Sequence, residues 1–359
     1  MEYVTLGKSN IKVTRIIFGA WAIGGWMWGG ADKKDALKAI HKSLDLGITS
    51  IDTAPAYGFG LSEEIVGEAV RGVRKDVQIL TKYGLRWDKK IGKFYFNTTD
   101  NNGKPIAMYK YAGKESVINE CEQSLKRLRT DYIDLLQIHW SDPTTPIQET
   151  MEAMNILIKS GKIRAAGVCN YNLEEMKTAA GAANYNPERE KSASGIVTNN
   201  LVKAKTDAGF NCLASNQVPY SMLKRDIERD IVPWCIENKV SILAYSPLQR
   251  GLLAGKIKTG LKFNKGDSRP ATPFYRESNI KKTNEFLEKL KPIAADKNAT
   301  LSQLVLRWTM QMPGITVVLA GARNPAQIEE NAGALNFKLD QDEMKLINSL
   351  LDNIKLDLD

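Results

Sequence analysis

Eight short apolar runs alternate with amphipathic helical stretches along 359 residues, and this rhythm predicts an α/β fold, a (β/α)8 TIM barrel. Runs that are apolar on both faces imply parallel strands covered on both sides. A doubly wound open sheet would usually carry G-x-G-x-x-G after its first strand, and that motif is absent. With 43% hydrophobic residues, the chain can fill one large core, so a single domain over 1–359 is expected.

Residues 16–18 form the first expected barrel strand. Asp32 caps a helix to Leu46, with Ala36, Ile40 and Leu44 on one face and Gly47 as its stop. Residues 48–51 follow as a strand. Ser62 is expected to cap the next helix, with Glu63 and Glu64 well placed on its dipole. The other strands are expected at 77–80, 132–138, 163–168, 213–218, 240–244 and 315–319. Their helices are expected at 114–128, 146–160, 173–180, 227–238, 279–295, 300–310 and 325–334. A hairpin of 3–6 with 11–13 would plug the barrel floor, and a C-terminal helix spans 340–351. Two long insertions, 84–113 and 181–212, break the rhythm and are expected as loops. The first is rich in aromatics and leaves the C-terminal end of a strand, which suits a lid.

Lys and Arg number 50 against 41 Asp and Glu, for a net charge of +9. These charges are spread without a like-charged run, so a solvated basic surface is expected and no nucleic-acid partner. Cys121, Cys169, Cys212 and Cys235 form no C-x-x-C pair, as for reduced thiols in a cytoplasmic protein. With only His41 and His139, a His-rich metal site is excluded and no metal is expected. Residues 1–10 lack the apolar core of a signal peptide, and no apolar run reaches the roughly 18 residues of a membrane helix. No membrane partner is expected.

In such a barrel, reacting groups stand where strands end and helices begin. The second expected strand delivers Asp52 and then Tyr57, the third Lys82, and the fourth His139 and Trp140. The fifth ends in Cys169 and Asn170, the sixth in Gln217, the seventh in Tyr245 and Ser246, and the eighth in Gly321, Ala322 and Arg323. Four of these form a chemical unit. A tyrosine, with a pKa near ~10, is a poor acid at neutral pH. A nearby ammonium lowers that pKa, and Lys82 can supply it. Asp52 would hold Lys82 in place and charged. His139 would orient a carbonyl oxygen beside the Tyr57 hydroxyl. The set suits proton transfer coupled to hydride transfer.

The surrounding text resembles the aldo-keto reductase superfamily, in the style of its bacterial general-stress and sugar-related branch. The matching stretches begin with Ile51-Asp52-Thr53-Ala54-Pro55-Ala56-Tyr57-Gly58, Leu80-Thr81-Lys82 and Asp131-Tyr132-Ile133-Asp134-Leu135-Leu136-Gln137-Ile138-His139-Trp140. They continue with Gly161-Lys162-Ile163-Arg164-Ala165-Ala166-Gly167-Val168-Cys169-Asn170, Tyr245-Ser246-Pro247-Leu248 and Gly251-Leu252-Leu253-Ala254-Gly255-Lys256. The resemblance runs from Thr5 to about Leu350, outside the two insertions.

That resemblance implies Tyr57 as general acid, tuned by Lys82 and Asp52, with His139 orienting the substrate. It implies a nicotinamide cofactor, NADPH/NADP, with NADH/NAD as the alternative. Tyr245 would stack on the nicotinamide, Asn170 and Gln217 would bond its carboxamide, and Trp21 would lie near it. Ser246, Leu248, Gly251 and Lys256 would run along the pyrophosphate. Gly321, Arg323, Gln327 and Asn331 match the adenosine end, where Gly321 permits close backbone approach. Gln327 and Asn331, four apart on a helix, would grip adenine, and Arg323 suits a 2′-phosphate. The family usually has serine where Cys169 stands, and a thiol is the weaker donor. Trp26, Trp28, Trp87 and Trp140 are the candidate lining of the substrate pocket.

The implied function is reversible reduction of a small-molecule carbonyl, an aldehyde, ketone or sugar. The alternative is a cofactor-sensing regulatory subunit of the same fold, similar to potassium-channel β subunits. The lack of a long N-terminal extension weighs against it.

Overall fold

In the computed structural model, which describes residues 1–183 and 213–358, the chain opens with an antiparallel hairpin of β1 (Tyr3–Thr5) and β2 (Lys12–Thr14). Then come β3 (Ile16–Gly19), β4 (Ser50–Asp52) and β5 (Gln78–Tyr83). A side sheet of β6 (Leu85–Arg86), β7 (Lys93–Thr99) and β8 (Pro105–Lys110) interrupts the series. It resumes with β9 (Ile133–Ile138), β10 (Ile163–Cys169), β11 (Leu213–Pro219), β12 (Ser241–Tyr245) and β13 (Ile315–Gly321). Strands β3, β4, β5 and β9 to β13 pair in parallel, in chain order, around a closed eight-stranded barrel. This is the fold class expected from the sequence.

Helices α1 (Lys33–Asp45), α2 (Leu61–Ala69), α3 (Lys114–Leu128), α4 (Ile147–Lys159) and α5 (Leu173–Ala183) cover the first half of the barrel. α6 (Ile231–Asn238), α7 (Glu277–Asp296), α8 (Leu301–Gln311) and α9 (Pro325–Ala332) follow, and α10 (Gln341–Asp352) is the expected C-terminal helix. Local chemistry sets several starts. The Asp32 side chain accepts from the Asp35 N–H, and Thr300–Gln303 and Asp340–Glu343 form capping boxes.

The alternation of a strand sorts side chains into two layers. Ile16, Phe18, Ile51, Ile79, Leu136 and Val318 face the helices. Ile17, Leu80, Leu135, Ala165, Leu243 and Val317 fill the interior. There they meet Leu6, Ile11 and Val13 of the N-terminal segment, which plugs the floor as expected. Each of the Val, Leu, Ile and Phe side chains contributes roughly 1.5–3 kcal/mol by leaving water. The same period of two carries polar groups inward at the other end: Asp52 after Ser50, Lys82 after Leu80, His139 after Leu135 and Gln137, and Tyr245 after Leu243.

Two expectations change, and a third falls largely outside the described residues. Ser62 does not cap α2. The turn over 54–60 starts the helix at Leu61 with Gly60, at φ +105°, as its cap. The buried Ser62 hydroxyl instead donates to the Ala20 carbonyl at 2.9 Å and bonds the Thr53 hydroxyl at 2.9 Å. The 84–113 insertion is not a loop but holds the antiparallel sheet β6-β8-β7. Its alternating aromatic and polar residues give that sheet one buried face. The 181–212 insertion begins inside α5, and residues 184–212, Cys212 included, lie outside the described residues. Among the described residues, no helix is long and apolar enough to cross a membrane.

Glu120 of α3 anchors the side sheet. It accepts the Gly84 N–H at 2.9 Å and the Ser116 hydroxyl at 3.0 Å, with Arg86 Nη1 3.5 Å away. Burial raises its pKa from 4.5 to about 7. The folded state therefore favours the protonated acid. That contribution is complete below the unfolded-state pKa and is lost as pH rises through about 7. Replacing Glu120 with glutamine, which mimics the neutral acid, is expected to flatten the fall in Tm between about pH 5 and 8 measured by thermal denaturation.

Candidate functional site

Asp52 ends β4 and Lys82 lies near the end of β5, both buried at the barrel mouth. Lys82 Nζ donates to Asp52 Oδ1 at 2.6 Å and to the Thr53 carbonyl at 2.9 Å. The other carboxylate oxygen accepts Gln217 Nε2 at 2.8 Å and Gln137 Nε2 at 3.5 Å. A buried ion pair costs several kcal/mol of lost hydration, and it persists only when its remaining hydrogen-bonding capacity is satisfied, as here.

Tyr57 stands in the turn after β4. Lys82 Nζ lies 4.9 Å from its ring centroid, and the His139 ring meets it edge-on with centroids 5.6 Å apart. Trp21 lies against the ring at 6.0 Å. The four residues expected to form one chemical unit are therefore brought together at one mouth of the barrel. The expected lowering of the Tyr57 pKa by Lys82 is not found. Burial first, then the charge of Asp52, holds the phenol well above 10, because the ammonium's field is offset by its own partner. The phenol stays protonated at neutral pH. Burial, with help from Lys82, pushes the His139 imidazole well below its usual range, so the ring is neutral and donates through one nitrogen.

Around this centre, Asn170 adopts φ +60°. Its Nδ2 donates to the His139 carbonyl at 3.0 Å, and its Oδ1 accepts the Tyr245 hydroxyl at 2.9 Å. Cys169 lies 3.9 Å from Gln217 Oε1, and burial raises its thiol pKa far enough to keep it uncharged. Ser246, Gln249, Arg250 and Gly251 all have positive φ, at 55°, 47°, 55° and 97°. They form a tight turn in which the Gln249 N–H donates to the Ser246 carbonyl at 2.8 Å. Leu248 lies within this turn and accepts the Gly251 N–H at 2.9 Å. The exposed Lys256 pairs with Glu330 at 2.8 Å.

At the end of β13, Asn331 Nδ2 donates to the Gly321 carbonyl at 3.2 Å, and Gln327 Oε1 accepts the Arg323 N–H at 2.8 Å. The Arg323 guanidinium has no hydrogen bond or ion pair among the described residues. The buried indole N–H groups of Trp21 and Trp28 also lack partners. Unpartnered indole donors, a tight turn of positive φ and an unpaired guanidinium along one rim fit an extended anionic dinucleotide. Among the described residues there is no group of three His, Cys, Asp or Glu that could hold a metal.

The four candidate substrate tryptophans fall into two groups. Trp28 meets Trp21 edge-on at 5.4 Å, and Arg269 and Arg250 lie over them at 5.2 Å and 4.8 Å. Trp26, Trp87 and Trp140 join an aromatic cluster with Phe59, Tyr95 and Phe96. Sequence reasoning missed Gln137, Arg250, Phe59 and Lys110. The inward parity of β9 would have found Gln137, since it lies two residues from both Leu135 and His139. Arg250 has no such signal, because its placement comes from a turn.

The family model described as "Aldo/keto reductase family" matches residues 15–352. Aldo-keto reductase YhdN of Bacillus subtilis is 37% identical over 98% of this chain and 94% of its own. The NADH-specific methylglyoxal reductase of Escherichia coli is 32% identical over 99% and 100% of the two chains. A probable voltage-gated potassium channel subunit beta of Arabidopsis thaliana is 31% identical over 94% and 92%. Among solved structures, the glycerol dehydrogenase of Gluconobacter oxydans superposes with a TM-score of 0.80 at 32% identity, covering 98% of this chain and 95% of its own. An aldo-keto reductase from Klebsiella pneumoniae in complex with NADPH gives 0.66 at 28% identity, covering 98% and 96%.

The buried pair yields a stability test. Asp52→Asn strands the Lys82 ammonium without a counter-charge and is expected to cost about 3–5 kcal/mol in urea unfolding. Adding Lys82→Met to that variant is expected to restore most of the loss, giving a strong non-additive coupling.

Proposed function

The chain belongs to the aldo/keto reductase family and is an NAD(P)H-dependent oxidoreductase, and from that premise we propose that it reversibly reduces an aldehyde, ketone or sugar carbonyl using NADPH, with Tyr57 as general acid. The observation that carries this reading is the protonated phenol of Tyr57 set between the neutral His139 ring and the Lys82–Asp52 pair.

Trp21, Asn170, Gln217 and Tyr245 would hold the nicotinamide end of the cofactor. Ser246, Leu248 and Gly251 would cradle the pyrophosphate, with Lys256 at its margin. Gly321, Arg323, Gln327 and Asn331 would hold the adenosine end. When bound, the reduced nicotinamide supplies the hydride that reaches the carbonyl carbon. Charge then develops on the carbonyl oxygen. The His139 N–H donates to that oxygen and fixes its position beside Tyr57. The Tyr57 hydroxyl gives its proton to the same oxygen. The phenolate left behind is stabilised by the Lys82 ammonium, which Asp52 keeps in place. In the oxidative direction the phenolate takes the proton back.

Gln217 has a further part in this reading. Its amide nitrogen spends one N–H on Asp52, and Oε1 is the atom that would accept from a carboxamide. For the preference between cofactors, the unpaired Arg323 guanidinium supports NADPH, since a 2′-phosphate is the charge it would meet. Similarity to a potassium-channel subunit supports a second reading, a cofactor-sensing subunit, and turnover separates the two.

Tyr57→Phe is expected to bind NADPH with unchanged affinity in a fluorescence titration while turnover on a panel of aldehydes falls about 10²–10⁴-fold. Unchanged turnover would refute the role of Tyr57. A wild-type protein that binds NADPH but completes only a single slow turnover would favour the regulatory subunit. Arg323→Ala is expected to raise KM for NADPH about ten- to hundredfold and leave KM for NADH unaltered.

A further inference from the structure

The side sheet after β5 turns one face to the barrel mouth. Along β8, Ile106, Met108 and Lys110 share a face, because successive side chains point to opposite sides. Ile106 and Met108 pack into the aromatic cluster that includes Trp26 and Trp140. Lys110 shares this face with its register partner on β7, Lys93, but Lys93 is exposed whereas Lys110 is half-buried. Lys110 also pairs in register with Leu85, three residues beyond Lys82, which places it at the rim of the site.

Lys110 Nζ lies 4.2 Å from the ring centroid of Tyr95 and 4.9 Å from that of Trp140, the residue directly after His139. The Tyr95 phenol in turn acts electrostatically on Tyr245 at the centre of the site. Among the described residues, the Lys110 ammonium has no ion pair or hydrogen bond. The carboxylates that face it, Glu175 and Asp142, are held elsewhere. Asp142 accepts the Ala112 N–H and both the N–H and hydroxyl of Thr144, each within 2.8 Å, and Glu175 accepts the Asn172 N–H at 2.9 Å. Partial burial lowers the Lys110 pKa despite these two charges. Aromatic faces attract a cation only weakly, and neither carboxylate comes within ion-pair distance, so the half-buried ammonium keeps its donors for an anion.

We propose that Lys110 is a specificity-determining residue that receives an anionic group, carboxylate or phosphate, on the substrate, so that the preferred carbonyl compounds are negatively charged at a point away from the reacting carbon. This rests on the reductase reading above. The insertion then has a chemical role, since its sheet roofs the mouth with aromatic surface and supplies one charge to read the far end of the substrate.

The test compares two matched pairs with NADPH: 4-carboxybenzaldehyde against benzaldehyde, and glyceraldehyde 3-phosphate against glyceraldehyde. Lys110→Met is expected to raise KM for the charged member of at least one pair tenfold or more. Its kcat, and KM for the neutral members, should change less than about threefold. Lys110→Arg is expected to recover most of the loss, which a packing role alone would not produce. A loss confined to the first pair identifies carboxylate, and one confined to the second identifies phosphate. If Lys110→Met affects charged and neutral members alike, or neither, the proposal is overturned. If the wild-type protein turns over the neutral aldehydes without that discrimination, only the Lys110 assignment falls. If it reduces none of the four, the reductase reading falls with it.

Discussion

The geometry of the mouth depends on one buried ion pair, Lys82 with Asp52. It can exist only because the sheet closes. Asp52 is held by Lys82 from the neighbouring strand and by Gln217 from β11, which lies on the opposite side of the ring. An eight-stranded barrel is narrow enough for side chains to meet across its interior. A wider barrel or an open sheet would leave the second carboxylate oxygen without a partner, and the cost of burying the charge would then outweigh the pair.

The pair also sets the electrostatics of its neighbours. Because the ammonium and carboxylate largely cancel, Tyr57 feels burial more than it feels Lys82, and remains protonated. His139 has no carboxylate of its own, so burial and Lys82 together keep it neutral. The centre therefore holds two uncharged donors beside a fixed dipole, an arrangement matched to negative charge that appears only as the reaction proceeds.

Loops from distant parts of the chain complete the rim. Asp267 forms an isolated antiparallel bridge with Trp28, Ser268 donates its N–H to the Met27 carbonyl at 3.0 Å, and Arg250 Nη1 donates to the Ser268 hydroxyl at 3.0 Å. These contacts tie the segment after β12 to the tryptophan-rich turn after β3. On the opposite flank, the side sheet packs Phe96 against Trp26 at 6.3 Å, and the Trp26 indole donates to the Thr98 hydroxyl at 3.2 Å. The site is thus walled on one side by cation-topped indoles and on the other by an aromatic sheet.

By itself, the chain's linear pattern determined the barrel, the floor plug and the four central residues. The barrel, the plug, Asp52, Lys82 and His139 follow from local periodicity, since a strand's alternation decides which residues face inward, while Tyr57 was legible from its motif in the turn after β4. The starting point of α2, the sheet within 84–113 and the pairing of Gln217 with Asp52 were decided by tertiary structure. Ser62 is drawn from its expected cap by a carbonyl of the preceding loop. Lys110 takes its meaning from a register with Leu85 that spans 25 positions. The pKa of Tyr57 depends on burial and on charges brought in from other strands. Periodicity is a property of neighbours in the chain. Burial and field strength are properties of neighbours in space, and only closure of the barrel creates them.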